Sequence, residues 1–199
     1  PLRKVLVETP WFVVLAGLTA IAFLISGLRP AVTAFLMLLV IGFIGTLSGP
    51  NASVGVDIRD AFQLAIKLNG GKLGGLPAEV LIGDDGLKPE QAKSLAERYI
   101  RQERVDFVTG TVFSNVVLAI APQVTDAKTF FIGPNAGPAQ YTGAQCNPFF
   151  FVSSWPSEAY SEAAGQYISS KGIKNVLFLA PNYQGGKDAA TGFKRYFKG

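Results

Sequence analysis

Residues 35–50 read FLMLLVIGFIGTLSGP, a string whose two halves obey different rules. Phe35–Val40 continues an apolar run that suits a lipid-facing helix, whereas Ile41–Gly45 followed by TLSGP suits a buried strand entering a turn. Given to the helix, Ile41–Gly45 is lost as the central strand of whatever follows. Given to the strand, it leaves Ala31–Val40 as ten residues, roughly 15 Å of helix, too short to cross ~30 Å of hydrocarbon.

Upstream, Trp11–Leu28 (WFVVLAGLTAIAFLISGL) is eighteen residues without a charge, about the minimum for a spanning helix. Arg3 and Lys4 favour a cytoplasmic N-terminus, and Trp11 suits an interface. The alternative is a cleaved signal peptide, whose apolar region is usually shorter. Through ETPWFVVLAGLTAIAFL, GLRPAVTAF and LLVIGFIG, residues 1–45 resemble the N-terminal helices of permease subunits of glycine betaine/proline-type ABC importers. A generic signal anchor is the competing reading.

Downstream of Ile41 the pattern alternates between short strands and helices. Val54–Asn69 carries apolar residues at helical spacing and stops at Gly70–Gly71. A strand over Ala78–Gly83 leads to a helix opened by Pro89. Then come a strand over Asp106–Thr109, a helix over Asn115–Asp126, and strands over Thr129–Ile132 and Phe149–Val152. A helix over Ser157–Lys171, a strand over Asn175–Ala180 and a helix from Gly185 complete the chain. This βαβα order predicts an α/β fold, a Rossmann-like parallel sheet with helices on both faces, preceded by one or two transmembrane-type helices. The expected divisions are a membrane segment over 1–40, a first lobe over 41–152, and a crossover with the start of a second lobe over 153–199. A start at Pro1 and an end at Gly199 just past a helical pattern read as a fragment.

Composition narrows the chemistry. The chain has 199 residues and a net charge of +4, of which the first forty residues carry +2 through Arg3, Lys4, Arg29 and Glu8. The remaining basic residues form no stripe, which argues against nucleic acid. There is no histidine and only Cys146. That removes the commonest general base, the commonest zinc ligand and any internal disulfide. Cys146, in GAQCNPFF, reads as a small buried hydrophobe rather than a reactive thiol. Asp84 and Asp85 read as solvated turn residues, with a cation site as the alternative. The glycine clusters lack the spacing of nucleotide-binding loops.

Ligands of such sheets bind beyond the carboxyl ends of the strands. The loops there (TLSGPNA, DDGLKPE, GTVFSN, GPNAGPAQ, APNYQGGK) are rich in Gly, Ser, Asn and Pro and poor in acid–base groups. They suit a backbone-lined binding cleft better than a catalytic centre. Ser114 stands out, expected at a helix N-cap where its hydroxyl and the unpaired N–H groups would receive a carboxylate, unless it only caps its own helix.

Residues 41–199 resemble a type I periplasmic substrate-binding protein of the branched-chain amino acid (Leu/Ile/Val-type) ABC importer family. The likeness lies in IGFIGTLSGPNASVGVDIRDAFQLAIKLNGGKLGGLPAEVLIGDDGLKPEQAKSLAERYI, VDFVTGTVFSNVVLAIAP, FFIGPNAGPAQ and NVLFLAPNYQGGKDAATGF. It implies two Rossmann-like lobes that close on a ligand for delivery to permease subunits, in a chain about twice as long. It implies ligand contacts from Ser114 and Asn115, from Asn135, Ala136 and Gly137, and from Tyr183 above them. Gly137 stands where the amino-acid binders of this family have a threonine, which points towards aromatic or other carboxylates. The expected function is a solute-binding component of an importer, without catalytic residues, metal or cofactor. Its ligand is a small carboxylate such as a branched-chain or aromatic amino acid or a related acid. The expected location is the bacterial cell envelope, with the binding domain in the periplasm and the N-terminal segment in the inner membrane. Ile41–Gly45 then belongs to the strand, and the string that satisfies both patterns reads as a join, natural or artefactual. A permease segment carrying an incidental soluble part and a ligand-sensing receptor domain remain alternatives; a Rossmann-type enzyme is disfavoured.

Overall fold

The computed structural model describes residues 38–199, which divide into two compact units. The larger comprises Val40–Ala65 and Val80–Gly199; the smaller, among the described residues, comprises 38–39 and Ile66–Glu79. The expected spanning helix Trp11–Leu28 and nearly all of Ala31–Val40 lie outside the described residues. Among those described, no helix is long and apolar enough to cross a membrane.

Ile41–Gly45 is strand. It forms most of β1 (Leu39–Gly45), and all five of its residues are buried. An apolar run without polar alternation is what a strand covered on both faces requires. In the larger unit β1 lies between β3 (Leu76–Asp84) and β4 (Phe107–Thr109), followed outward by β5 (Phe130–Gly133) and β6 (Phe150–Val152). The pairs β1–β4, β4–β5 and β5–β6 are parallel, with Ile41 beside Phe107, Phe107 beside Phe130, and Phe131 beside Phe150. Parallel neighbours need crossovers. Helices α1 (Ala52–Leu68), α2 (Pro89–Arg98) and α3 (Ser114–Asp126) supply these as far as β5, a loop over 134–149 joins β5 to β6, and α4 (Ala159–Ser170) and α5 (Gln184–Tyr196) follow.

In the smaller unit α1 ends at Gly70 and Gly71, whose φ angles of +66° and +77° are left-handed. The Gly71 N–H donates to the Ile66 carbonyl at 2.9 Å, closing the helix as the glycine pair predicts. A short β2 (Lys72–Leu73) then pairs antiparallel with the start of β3, Lys72 opposite Pro77. The sequence reading began this strand two residues late because the Gly-Pro-rich turn hides it.

The core joins Ile44, Val108 and Phe131 of the sheet to Val116, Val117, Ile120 and Val124 of α3 and to Ala92 and Ala96 of α2. Each large apolar side chain buried there contributes about 1.5–3 kcal/mol. After α2 the backbone widens into a π-helical turn, Tyr99–Glu103, that carries Tyr99 inward until it is wholly buried. Gly42 makes room for it: a Cβ on Gly42 would meet the Tyr99 ring at 2.5 Å.

Three expectations fail. Residues 175–180 form no strand. Their period-two pattern survives, since Phe178 packs on Phe193 at 5.1 Å between ring centroids while Leu177 and Leu179 are each 84% exposed. A strand exists only where a neighbour pairs its N–H and C=O groups, and among the described residues none does so here. Cys146 is exposed, because the loop holding it lies on the surface before β6. Asp84 and Asp85 are not a solvated turn: Asp85 is wholly buried. Its Oδ1 accepts from the Thr46 hydroxyl at 2.6 Å and from Leu87 N–H at 2.7 Å, while Asp84 Oδ1 accepts from Leu47 and Gly86 N–H. The pair clips the end of β3 to the end of β1. No cluster of metal-ligating side chains occurs among the described residues.

Candidate functional site

Past the carboxyl ends of β4 and β5, both chain segments turn through short loops into a cavity of about 220 Å³. Val112 and Ser114 line it from the β4–α3 loop and Asn135 and Ala136 from the loop after β5. Ser154, Trp155 and Ser157 come from the segment after β6, Tyr160 from α4, and Tyr183 and Gly185 from the start of α5. Of the expected residues, Ser114, Asn135, Ala136 and Tyr183 are therefore brought together. Asn115 and Gly137 adjoin the cavity in sequence but do not line it.

Ser114 is the first helical residue of α3, not its N-cap; Phe113 holds that position in extended geometry, and no side chain caps the helix. The first intrahelical donors are Val116 and Val117, both to the Phe113 carbonyl. That leaves the Ser114 and Asn115 N–H groups ahead of the helical ladder. Ser114 is 3% exposed and lines the cavity. A helix start one residue earlier than expected thus frees the hydroxyl from capping.

The α5 helix points its own N-terminus at the same cavity, with Tyr183 as N-cap. The Tyr183 ring meets Phe113 edge-on, 5.8 Å between centroids at 75°. It also lies against Gly185, where a Cβ would come within 2.6 Å of its hydroxyl. Burial pushes the Tyr183 pKa up, with Tyr160 and Asp188 adding to it, so the phenol stays a donor at neutral pH. Two helix N-termini and two hydroxyls facing one cavity make a region of positive potential suited to an anion.

The walls are braced by hydrogen bonds that sequence reasoning did not find. Asn135 Nδ2 donates to the Val112 carbonyl at 2.8 Å, and Ser154 Oγ to the Asn135 carbonyl at 2.8 Å. Ser157 N–H donates to the Gly137 carbonyl at 2.7 Å. Asp188 of α5 is buried and accepts from Ala139 N–H at 3.2 Å and Gln184 Nε2 at 2.7 Å. The signal for it was an acid inside the first turns of the helix, in GGKD. Trp155 and Tyr160 were also missed; both are largely exposed aromatics beside polar loops. A larger cavity, about 350 Å³, lies between α2 and α3, but Arg101 and Glu97 on its wall pair with each other at 3.3 Å.

Comparison with known proteins gives this geometry a context. Residues 39–199 match the family model described as periplasmic binding protein. Leu/Ile/Val-binding protein homolog 6 of Brucella abortus is 26% identical over 158 residues, covering 79% of this chain and 40% of that protein. A solute-binding protein of an ABC transporter from R. palustris, solved in complex with benzoate, is 31% identical with a TM-score of 0.76, covering 80% of this chain and 44% of that one. The branched-chain amino acid transporter substrate-binding protein LivJ of Streptococcus pneumoniae, in complex with isoleucine, is 25% identical with a TM-score of 0.72, covering 81% and 47%. The chain thus spans less than half the length of the relatives it matches.

Proposed function

The chain belongs to the periplasmic binding protein family, and we propose that it acts as the solute-binding component of an ABC importer that captures a small carboxylate. One observation carries the ligand class. Ser114, a buried residue, lines at the N-terminus of α3 a cavity that the α5 N-terminus also faces. A carboxylate there accepts charge-assisted hydrogen bonds from Ser114 Oγ and the first backbone N–H groups, with the helix dipoles in favour. Two of the solved relatives hold benzoate and isoleucine, which share the carboxylate and little else.

Residues 41–152 supply most of the first lobe in this reading, and 153–199 the crossover and the opening of the second. Tyr183 then covers a ligand seated on Ser114, and closure of one lobe on the other commits it for delivery to the permease subunits. No catalytic role is assigned: no nucleophile is paired with a base among the residues lining the cavity. The binding domain works in the periplasm, with residues 1–40 holding it at the inner membrane; a reporter fused at Gly199 that is active only in the cytoplasm would overturn that placement.

Isothermal titration of the full-length protein with benzoate, phenylalanine and leucine tests the function. Saturable binding of at least one, weakened about 10–100-fold by Ser114→Ala, is the expected result, corresponding to the ~1.5–3 kcal/mol of a charged hydrogen bond. Binding unaffected by that substitution would remove Ser114 from the site.

A further inference from the structure

The Ser114 cavity lies at one end of α5, and the other end carries charge that solute capture does not use. From 163 to 199 the chain holds Lys171, Lys174, Lys187, Lys194, Arg195 and Lys198 against a single acid, Asp188. Along the sequence these basic residues are scattered; the packing of α4 on α5 gathers four of them. Lys171 is the C-cap of α4, and Lys194 stands in the last turn of α5. Lys198 N–H donates to Ser169 Oγ at 2.8 Å and Ser169 Oγ to the Tyr196 carbonyl at 3.2 Å, which joins the two helix ends. Lys174 belongs to the same end, its carbonyl oxygen 2.7 Å from where a Gly199 Cβ would stand. All four lysines are exposed, and no ion pair engages any of them among the described residues. The nearby Glu158 and Glu162 are both bound to Arg195.

Lysines at a helix C-terminus commonly do no more than answer its dipole. Here the two C-termini supply about −0.5 each and a carboxylate at Gly199 would supply one charge more, so a surplus of about two positive charges remains. Amphipathic and apolar side chains stand among the lysines. Tyr167 is 63% exposed, with the Lys171 ammonium 5.3 Å from its ring centroid, and Ile173 and Tyr196 are 47% and 43% exposed. Lysine, tyrosine and isoleucine side by side suit a lipid–water interface, where the ammonium reaches headgroup phosphates while the stem and the ring lie against acyl chains. A nucleic acid would call for arginine forks, and the one arginine here is held by two glutamates. We propose that the end of the domain formed by the C-termini of α4 and α5 docks on a membrane surface rich in anionic lipid. From the cavity at its N-terminus to this patch α5 runs 13 residues, roughly 20 Å. A bilayer against the patch therefore stands clear of the cavity. The attraction is set by the density of anionic headgroups and weakens as salt rises.

The test is co-sedimentation of the full-length protein with vesicles of phosphatidylcholine alone and of phosphatidylcholine mixed with phosphatidylglycerol. Comparing the two isolates the charge-dependent part, since insertion of an apolar segment occurs in both. Expected at low salt is an affinity for the anionic vesicles at least about tenfold above that for the neutral ones, falling about fivefold for each lysine removed by Lys171→Gln and Lys198→Gln. Lys128→Gln with Lys187→Gln removes the same charge elsewhere and should change the affinity less than about twofold. Lys171→Arg with Lys198→Arg keeps the charge and should bind as the parent does. Unchanged binding in the glutamine pair at 171 and 198, or an equal loss from the pair at 128 and 187, would overturn the proposal, the second by reducing the effect to net charge. Loss of binding in the arginine pair would overturn it too, by showing a structural effect. Tighter binding of a single-stranded oligonucleotide that the vesicles do not displace, lost in the same glutamine pair, would assign the patch to nucleic acid instead.

Discussion

Ser157 N–H donates to the Gly137 carbonyl at 2.7 Å, and two residues earlier the Trp155 carbonyl stands 2.7 Å from where a Gly137 Cβ would be. The loop after β5 and the segment after β6 are therefore pressed together backbone to backbone, and the absence of a side chain at 137 is a condition of that packing. Gly137→Ala is expected to destabilise the protein by about 1–3 kcal/mol, the cost of forcing extra atoms into packed structure, and Gly137→Thr by more. Urea denaturation reads this as a lower midpoint at constant slope. An unchanged midpoint would show that the two backbones separate freely.

The Asp84–Asp85 clip makes opposite demands on pH. Burial raises the Asp85 pKa, against hydrogen bonds from Thr46 and Leu87, with the Asp84 charge adding to the rise. Burial pushes Asp84 up too, but hydrogen bonds from Ser48 and from the Leu47, Gly86 and Ser48 backbone outweigh it and leave its pKa lowered. A raised carboxyl binds its proton more tightly when folded, so Asp85 costs stability as pH rises from the ordinary value of about 3.9 through its folded value. A lowered one contributes stability above about 3.9 that is lost as pH falls through its folded value. Asp85→Asn keeps an acceptor for Thr46 and Leu87, so its midpoint should gain on the parent protein between pH 4 and 7. Asp84→Asn should lose most at pH 7 and least in acid. Denaturation midpoints of both variants across that range check the signs.

Most of the fold was legible because period and punctuation agreed. IGFIG is apolar on every residue, the glycine pair at 70–71 closes α1, and Pro89 opens α2. What was hidden depends on partners distant in sequence. Residues 175–180 have the composition of a strand, yet a strand is a property of two segments, and composition does not say whether the described residues contain the second. Asp85 looked solvated because DDG is turn chemistry; only the approach of Thr46, thirty-nine residues earlier, buries it. Ser114 was located from its place after a strand, but its freedom from capping turned on a single residue of helix boundary. The aromatic wall at Trp155 and Tyr160 carried no motif at all.

Asp188 links α5 to the loop that carries Asn135 and Ala136, through Ala139 N–H at 3.2 Å. Asp188→Ala strands a backbone N–H and the Gln184 amide, and should cost about 1–3 kcal/mol. Asp188→Asn keeps an acceptor and should cost less. Because the effect is local, the Ala139 amide should exchange with deuterium faster in the alanine variant while core amides of β1 move only with global stability. Equal protection at Ala139 in both variants would mean the link does not hold the loop.

Phe178 and its neighbours separate a packed face from an open one. Phe178 contacts Phe193, which stacks in turn on Phe197 at 5.2 Å. Phe178 is 37% exposed, so Phe178→Ala should cost about 1–2 kcal/mol, less than the ~3–5 of a fully buried phenylalanine. Leu177 and Leu179 project from the other face, and Leu177→Lys with Leu179→Lys should leave the stability of this chain within about ±0.5 kcal/mol, as at other exposed positions. The same pair should reduce self-association, since exposed apolar strips are adhesive. Urea midpoints together with sedimentation velocity distinguish the faces: a large loss from the double lysine variant would show that Leu177 and Leu179 are packed, and that residues 175–180 are paired in solution after all.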